Sequence, residues 1–182
     1  MARLQKWDAW ALPGMMMRAA FLIALPVAMM VVGAAPVSAR DSLGIFERWG
    51  AFRDPSVPRC YAIAEPVRQG SHDPWRAFAS IGSWPKQGVR GQIHFRLSRS
   101  RAPDSRLTLS IGDRRFDLVA GTADAWATDR RADAAIVAAI RSGTSMSVQG
   151  QGSDGRAFAD VYALRGAATA IDAAALGCAR AQ

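Results

Sequence analysis

Side chains suited to acid–base or metal chemistry are scarce in this sequence. The chain has two histidines, His72 beside Asp73 in a turn-rich stretch and His94 in a run of alternating apolar and polar residues. Neither an HExxH pattern nor a GxSxG nucleophile elbow occurs. A glycosidase requires two carboxylates that face each other across a cleft. The central aspartates fall instead at predicted turns or exposed strand positions, and no two of them stand out as a pair: Asp104, Asp113, Asp117 and Asp124. We therefore expect both histidines to face solvent, and we expect no enzyme activity, no cofactor and no metal. A metal-ligand or base role for His72 is the alternative.

Arginine is the abundant functional side chain. The formal net charge is +8 at pH 7. A basic balance of this size favours an anionic partner, such as lipid, polysaccharide or an acidic protein. The candidate surface for that partner consists of five arginines in and around the central strands: Arg99, Arg101, Arg106, Arg114 and Arg115. The alternative is that these arginines only solvate the outer face of a sheet.

Two cysteines, Cys60 and Cys178, are the whole cysteine content. Outside the cytosol an even number of cysteines predicts disulfides, and two cysteines allow one pairing. The bridge would close a loop of 118 residue steps, and loop entropy puts such a closure at about 4–5 kcal/mol as an upper value. The alternative, a redox pair of free thiols, lacks a CxxC spacing and a neighbouring histidine.

The N-terminus reads as a secretory signal peptide over residues 1–39. Arg18 precedes an apolar stretch, 21–35, and Val37-Ser38-Ala39 supplies small residues for cleavage after Ala39. The alternative is a single membrane anchor over 19–39, and translation could begin at one of three methionines, Met15, Met16 or Met17. Cleavage leaves 143 residues (182 minus 39) with a net charge of about +6, enough for one domain over 40–182. A periplasmic or secreted location follows, and nucleic acid is then not an expected partner.

The central region, residues 91–119, predicts antiparallel strands. Apolar residues recur at every second position, which is the period of half-buried strands. Three such runs occur: Ile93, Phe95 and Leu97; Leu107, Leu109 and Ile111; and Phe116 and Leu118. Gly112-Asp113 between the last two runs indicates a tight hairpin. Further strands are predicted at 60–67, taken as the first, and at 78–84, 124–128, 146–149 and 157–164. The earlier aromatic stretch around Trp49 could be an amphipathic turn or an irregular strand.

Two segments have helical character. Residues 132–141 place Ile136 and Ile140 on one face, with Asp129 or Asp133 as the N-cap and Gly143 at the end. Residues 167–175 could form a last helix or an extended edge. The predicted fold is mainly β, an antiparallel β-sandwich-like domain with one or two short helices, preceded by a signal peptide.

The mature chain resembles the invasion-associated locus B family, small exported proteins of alphaproteobacteria. The resemblance lies in ADAAIVAAIRSGTSMSV (132–148), in AFADVYALRGAATAI (157–171) and in the aromatic stretch 49–52 followed by Cys60-Tyr61. It implies an exported β-sandwich-like domain and supplies no catalytic residues. Members similar to the named invasion protein carry closely spaced cysteines before the helix, whereas this chain reads Ala123-Asp124-Ala125-Trp126 there. This departure puts a shared role in host-cell invasion in doubt.

Three function hypotheses follow. The preferred one is a non-enzymatic, exported binding protein whose arginine-rich face meets an anionic partner. The second is an envelope hydrolase with an unrecognised site. The third is a carrier of a small apolar ligand, held in a cavity lined by Trp84, Phe95 or Tyr162.

Overall fold

The chain forms one antiparallel sheet with two helices packed against it. A computed structural model describes residues 40–68 and 75–179. The strands in chain order are β1 Asp41–Phe46, β2 Trp49–Asp54, β3 Arg59–Ala64, β4 Phe78–Trp84, β5 Val89–Arg96, β6 Leu107–Ile111, β7 Arg114–Ala120, β8 Asp124–Ala127, β9 Ser145–Gln151 and β10 Ala157–Ala163. The helices are α1 Arg130–Ser142 and α2 Ala167–Ala179, and a 3₁₀ turn, Pro85–Gln87, joins β4 to β5. The predicted class, mainly antiparallel β with short helices, is confirmed.

The described strands make a single ten-stranded sheet rather than two separate sheets. Its order is β1-β2-β3-β4-β5-β8-β7-β6-β9-β10. The sheet curls, so that strands far apart in this order come into contact. The backbone N–H of Val67, just after β3, donates to Val161 O in β10 at 2.7 Å. The indole N–H of Trp49 in β2 likewise donates to Ala163 O at 2.8 Å. The predicted sandwich-like form is therefore two halves of one sheet folded over a shared core.

Strand alternation places the apolar residues on the inner face of this curled sheet. In β5, Ile93 and Phe95 are buried while His94 and Arg96 between them are partly exposed. The inward-facing apolar residues of β2–β6 and β8–β10 and the buried apolar residues of both helices belong to one hydrophobic cluster, and partly buried residues of β1 and β7 pack against it. Helix α2 packs along β1, β2 and β3, and α1 packs along β5. The outer face of the sheet is left for polar and aromatic side chains.

The sequence patterns located most of these elements. Strand β4 has the predicted bounds, the hairpin between β6 and β7 turns at Gly112 with φ +55°, and α1 begins after Asp129, whose carboxylate accepts from Ala132 N at 2.8 Å. Of the two readings left open for 167–175, helix is correct, and α2 continues to Ala179.

The prediction that the first strand begins at Cys60 is wrong. The preceding segment forms a complete hairpin, β1–β2, in which Phe46 pairs with Trp49 across a two-residue turn. That turn uses Glu47 with φ +56°, a conformation usually reserved for glycine. Because the turn contains no glycine or asparagine, composition did not reveal it.

Parts of the prediction fall outside the described residues. These are the signal peptide over 1–39 and the loop 69–74 with His72. Neither helix of the described part is long and apolar enough to cross a bilayer.

Candidate functional site

A histidine–aspartate–arginine group lies on the outer face of the sheet, where β5 meets β8. Asp124 Oδ1 lies 2.9 Å from His94 Nε2, and Asp124 Oδ2 accepts from Arg96 Nη1 at 2.6 Å. All three side chains are partly buried, between 27% and 34% exposed. The carboxylate therefore fixes both neighbours in one geometry through charge-assisted contacts.

Aromatic rings surround this group. His94 stacks on Trp126 with 5.2 Å between ring centroids, and Phe78 meets His94 edge-on at 5.4 Å. The guanidinium of Arg96 lies 4.8 Å over the ring of Trp75. The indole N–H of Trp75 is held by Leu97 O at 2.5 Å. We call these six side chains the outer aromatic site: Trp75, Phe78, His94, Arg96, Asp124 and Trp126.

The sequence did not predict this arrangement. His94 lies on the outer face as expected, but it packs between two rings and contacts a carboxylate, which leaves its side chain 28% exposed. Alternation alone places Asp124 at a turn or an exposed strand position and gives it no partner. The contact depends on the register His94↔Trp126 and Arg96↔Asp124 between β5 and β8, which are separated in sequence by two intervening strands. Such non-sequential pairing leaves no trace in local spacing.

The groups around His94 determine which catalytic chemistry this site could support. A nucleophilic mechanism would need a hydroxyl directed at the histidine ring. Ser80 is the cross-strand neighbour of His94, but its hydroxyl lies 3.5 Å from the main-chain oxygen of His94. Among the described residues no group of three or more histidine, cysteine or acidic side chains is arranged to hold a metal.

Arg101 is part of the scaffold. Its guanidinium donates to the carbonyl oxygens of Ala102 at 2.8 Å, Ser105 at 2.7 Å and Gly121 at 3.1 Å, and also to Pro103 O. These bonds fix the loop after β5 against the end of β7. A guanidinium occupied in this way has few donors left for a partner.

The remaining predicted arginines lie at two ends of the β6–β7 hairpin. Arg99 lies 3.9 Å from Asp154 and over the ring of Phe158, and it shares the loop before β6 with Arg106. Arg114 and Arg115 follow the turn at the other end of β6. Five strand residues span about 17 Å. The five predicted arginines therefore do not form one surface, although Arg99, Arg101 and Arg106 share an end as expected.

Arg114 and Arg115 have basic neighbours that the sequence pattern did not reveal. The β7–β8 ladder ends at Leu118↔Ala127, and two residues later Asp129 caps the start of α1. That antiparallel register, continued by two to four residues, leads to the start of β7, and α1 contacts β7. From this we infer that Arg130 and Arg131, in the first turn of α1, lie at the same end of β7 as Arg114 and Arg115. All four arginines are exposed, and no carboxylate of the described residues lies within 4.0 Å of them. We call them the turn arginines.

Cys60 at the start of β3 and Cys178 at the end of α2 are joined by a disulfide, with 5.7 Å between their Cα atoms. Both residues are buried in the main core cluster. The bond ties the last helix to the strand under it, so the end of the described chain is attached covalently to the sheet.

Phe95 and Tyr162, two of the three residues proposed to line a carrier cavity, do not do so. Phe95 and Tyr162 pack against each other in the filled core with 6.2 Å between ring centroids. The Tyr162 hydroxyl is buried with no hydrogen-bond partner among the described residues, and burial raises the pKa of this phenol strongly. Instead, an open cleft of about 390 Å³ lies between α1, α2 and the β4–β5 hairpin, with Val137, Ile171 and Arg90 in its wall.

Comparisons with known proteins give one structural likeness. No protein-family model and no curated sequence matches the chain. The fold is similar to the crystal structure of invasion associated protein B from Bartonella henselae. The two sequences are 12% identical, and the superposition covers 77% of this chain and 99% of the other with a TM-score of 0.49. Membership of the invasion-associated locus B family stays a prediction.

Proposed function

We propose that this chain is an exported, non-enzymatic binding protein that meets an anionic component of the cell envelope through the turn arginines. The observation that carries the proposal is the grouping of four exposed arginines without an acidic partner within salt-bridge distance in the described part of the chain. Other described arginines are paired with carboxylates, as in Arg53–Asp41, Arg76–Glu65 and Arg141–Asp172.

Nearby acidic residues do not cancel this cluster. Asp129 is occupied as the N-cap of α1, since its carboxylate accepts from Ala132 N. Asp113 and Asp117 are exposed on the hairpin and form no ion pair with the turn arginines, so the guanidinium donors stay available to a partner. Guanidinium groups are suited to phosphate and carboxylate oxygens, which they bind through two parallel hydrogen bonds. An anionic headgroup or acidic polysaccharide fits this surface.

The proposed location outside the cytosol is supported by two features. The N-terminal residues have the composition of a secretory signal. The disulfide between Cys60 and Cys178 suits an oxidising compartment, since such bonds are rare where glutathione keeps thiols reduced. Alkylation of the protein as recovered from cells, before and after reduction, tests this part: accessible free thiols without reduction would contradict it.

The binding surface is tested by co-sedimentation with phosphatidylglycerol-containing vesicles at low and high salt, using phosphatidylcholine vesicles as the uncharged reference. We expect binding to the anionic vesicles to weaken with salt and to be lost in R114S/R115S. The matched control is R106S/R156S, which removes the same charge from exposed arginines near the other end of β6. Equal loss in both variants would show that binding follows net charge and would overturn this surface.

A carrier of a small apolar ligand is the second candidate, favoured by the open cleft beside α1 and α2. Its wall is mainly apolar, and Arg90 could meet a carboxylate head group. A fluorescent fatty-acid probe is expected to bind wild-type protein and to be excluded by Val137→Trp, which fills the cleft. Undiminished binding to that variant rejects the carrier hypothesis.

A further inference from the structure

The outer aromatic site presents rings on the solvent side of the sheet that the core does not use. Trp75, Phe78 and Trp126 are absent from the hydrophobic cluster that fills the curled sheet. Trp126 stands beside Val119 on β7, which is 54% exposed. Trp75, Phe78 and Trp126 are each partly exposed, and partly exposed rings grouped beside an exposed valine, with no described element packed over them, form a candidate ligand surface.

The polar groups between these rings are held rigidly and nearly cancel in charge. Asp124 offsets Arg96 through a contact of 2.6 Å, and its other oxygen contacts His94. Arg96 is also fixed over Trp75, whose indole N–H is bonded to Leu97 O. Little side-chain entropy remains to be lost when a ligand binds such a preorganised site.

We propose that the outer aromatic site binds a neutral oligosaccharide. A pyranose ring has an apolar C–H face, which stacks on an aromatic ring, and a rim of hydroxyl groups that both donate and accept hydrogen bonds. The site offers aromatic rings for the face. For the rim it offers the remaining Arg96 donors and Asp124 lone pairs. An anionic ligand is disfavoured because Asp124 neutralises Arg96 and faces the same surface.

The shape of the site favours a chain of sugars over a single one. His94 and Trp126 are direct cross-strand neighbours, and Trp126 and Val119 are the next pair along the same row. Ser80 continues the row on β4. Four strands at about 4.8 Å spacing make a row about 14 Å long, so several sugar units can contact it at once.

The proposal is tested by titrating the purified protein with three neutral probes, maltohexaose, cellohexaose and chitohexaose, and following tryptophan fluorescence and binding heat. At least one probe is expected to bind, with little dependence on salt. Trp126→Ala is expected to raise its Kd at least tenfold, since a stacking platform contributes on the order of tenfold or more. Asp124→Asn should raise the Kd by about tenfold through loss of a charge-assisted hydrogen bond.

Matched variants show whether an effect belongs to this site. Trp84→Ala removes another partly exposed tryptophan on β4 outside the site, and its Kd should equal that of the wild type. Thermal unfolding of each variant checks that Trp126→Ala still folds, as expected for a residue outside the core cluster.

Three outcomes would overturn the assignment: no saturable binding of any probe at millimolar concentration, equal weakening by Trp84→Ala, or retained binding in Trp126→Ala. Loss of anionic-vesicle binding in Trp126→Ala, with saccharide binding absent, would assign the site to an anion instead. Failure of R114S/R115S to affect vesicle binding bears on the turn arginines alone, because those residues lie outside this site.

Discussion

The carboxylate of Asp133 on α1 accepts a hydrogen bond from the backbone N–H of Ile93 on β5, with 2.8 Å between N and Oδ1. Strand β8 pairs with β5 only over residues 94–96, so it does not reach the N–H of Ile93. The Asp133 side chain therefore supplies the hydrogen-bond acceptor that β8 does not provide for Ile93. This contact positions α1 on the sheet and, through β5, supports the register on which the outer aromatic site depends.

Replacing Asp133 separates the role of its oxygen from that of its charge. Asp133→Ala leaves a buried N–H without an acceptor, so we expect a loss of about 1–3 kcal/mol in the free energy of unfolding. Asp133→Asn keeps an acceptor oxygen and should lose less. Urea denaturation of the two variants measures the difference, and equal losses would contradict the role of this hydrogen bond.

Asp133 also makes stability depend on pH. Burial raises the pKa of this carboxyl above its usual value, outweighing the opposite effect of the Ile93 hydrogen bond. The folded protein therefore holds the proton more tightly than the unfolded chain, and this group's contribution to stability falls as pH rises from the unfolded pKa, about 4, through the folded pKa. Asp133→Asn is expected to remove that fall, measured as urea midpoints across this window. An unchanged pH profile would contradict it.

Arg101 and Arg106 belong to the same predicted surface but should respond differently to substitution. The Arg101 guanidinium bonds several main-chain carbonyl oxygens, including those of Ser105 and Gly121, so Arg101→Ser leaves them without donors and should cost about 2–3 kcal/mol of stability. Arg106 is exposed without an ion pair in the described part, and Arg106→Ser should change stability by less than about 0.5 kcal/mol. Thermal unfolding compares the two. Similar shifts would show that Arg101 is not structural.

Local patterning was sufficient wherever strand alternation was clear. The predicted alternation appears in the structure, with Ile93, Phe95, Leu107 and Leu109 buried on the inner face. Helix α1 was equally accessible, because capping and apolar spacing are encoded within a few residues of Asp129. Elements whose determinants lie close together in sequence could be predicted.

The outer aromatic site could not be predicted in the same way. Its central contact joins His94 to Asp124, 30 positions apart, through a β5–β8 pairing that skips β6 and β7. Alternation assigned His94 correctly to the outer face, but alternation is silent on which strand lies next to it. Sheet order depends on the whole core, and no short window of sequence contains it.

The disulfide is expected to contribute a large share of stability. Cys60 and Cys178 are separated by 118 positions, and removing a bond over so long a loop enlarges the unfolded ensemble at a cost of about 2–5 kcal/mol. C60A/C178A should therefore unfold at lower urea concentration than the oxidised wild type. Reductant should lower the wild-type midpoint and leave that of the variant unchanged. A wild-type midpoint insensitive to complete reduction would contradict this contribution.

Alanine substitutions at Gly166 and Gly88 separate the cost of a steric clash with the backbone from the cost of a left-handed conformation. Both have positive φ, +85° and +65°, but an added Cβ at Gly166 would lie 2.1 Å from Phe46 O, whereas at Gly88 nothing lies within 4 Å. Gly88→Ala should lower the free energy of unfolding by about 1 kcal/mol, the cost of placing a residue with a Cβ in the left-handed conformation. Gly166→Ala must also push the β1–β2 hairpin away from the start of α2, so we expect a loss above about 3 kcal/mol. Denaturant unfolding of the two variants provides the comparison, and equal losses would mean that the hairpin does not pack against Gly166 this closely.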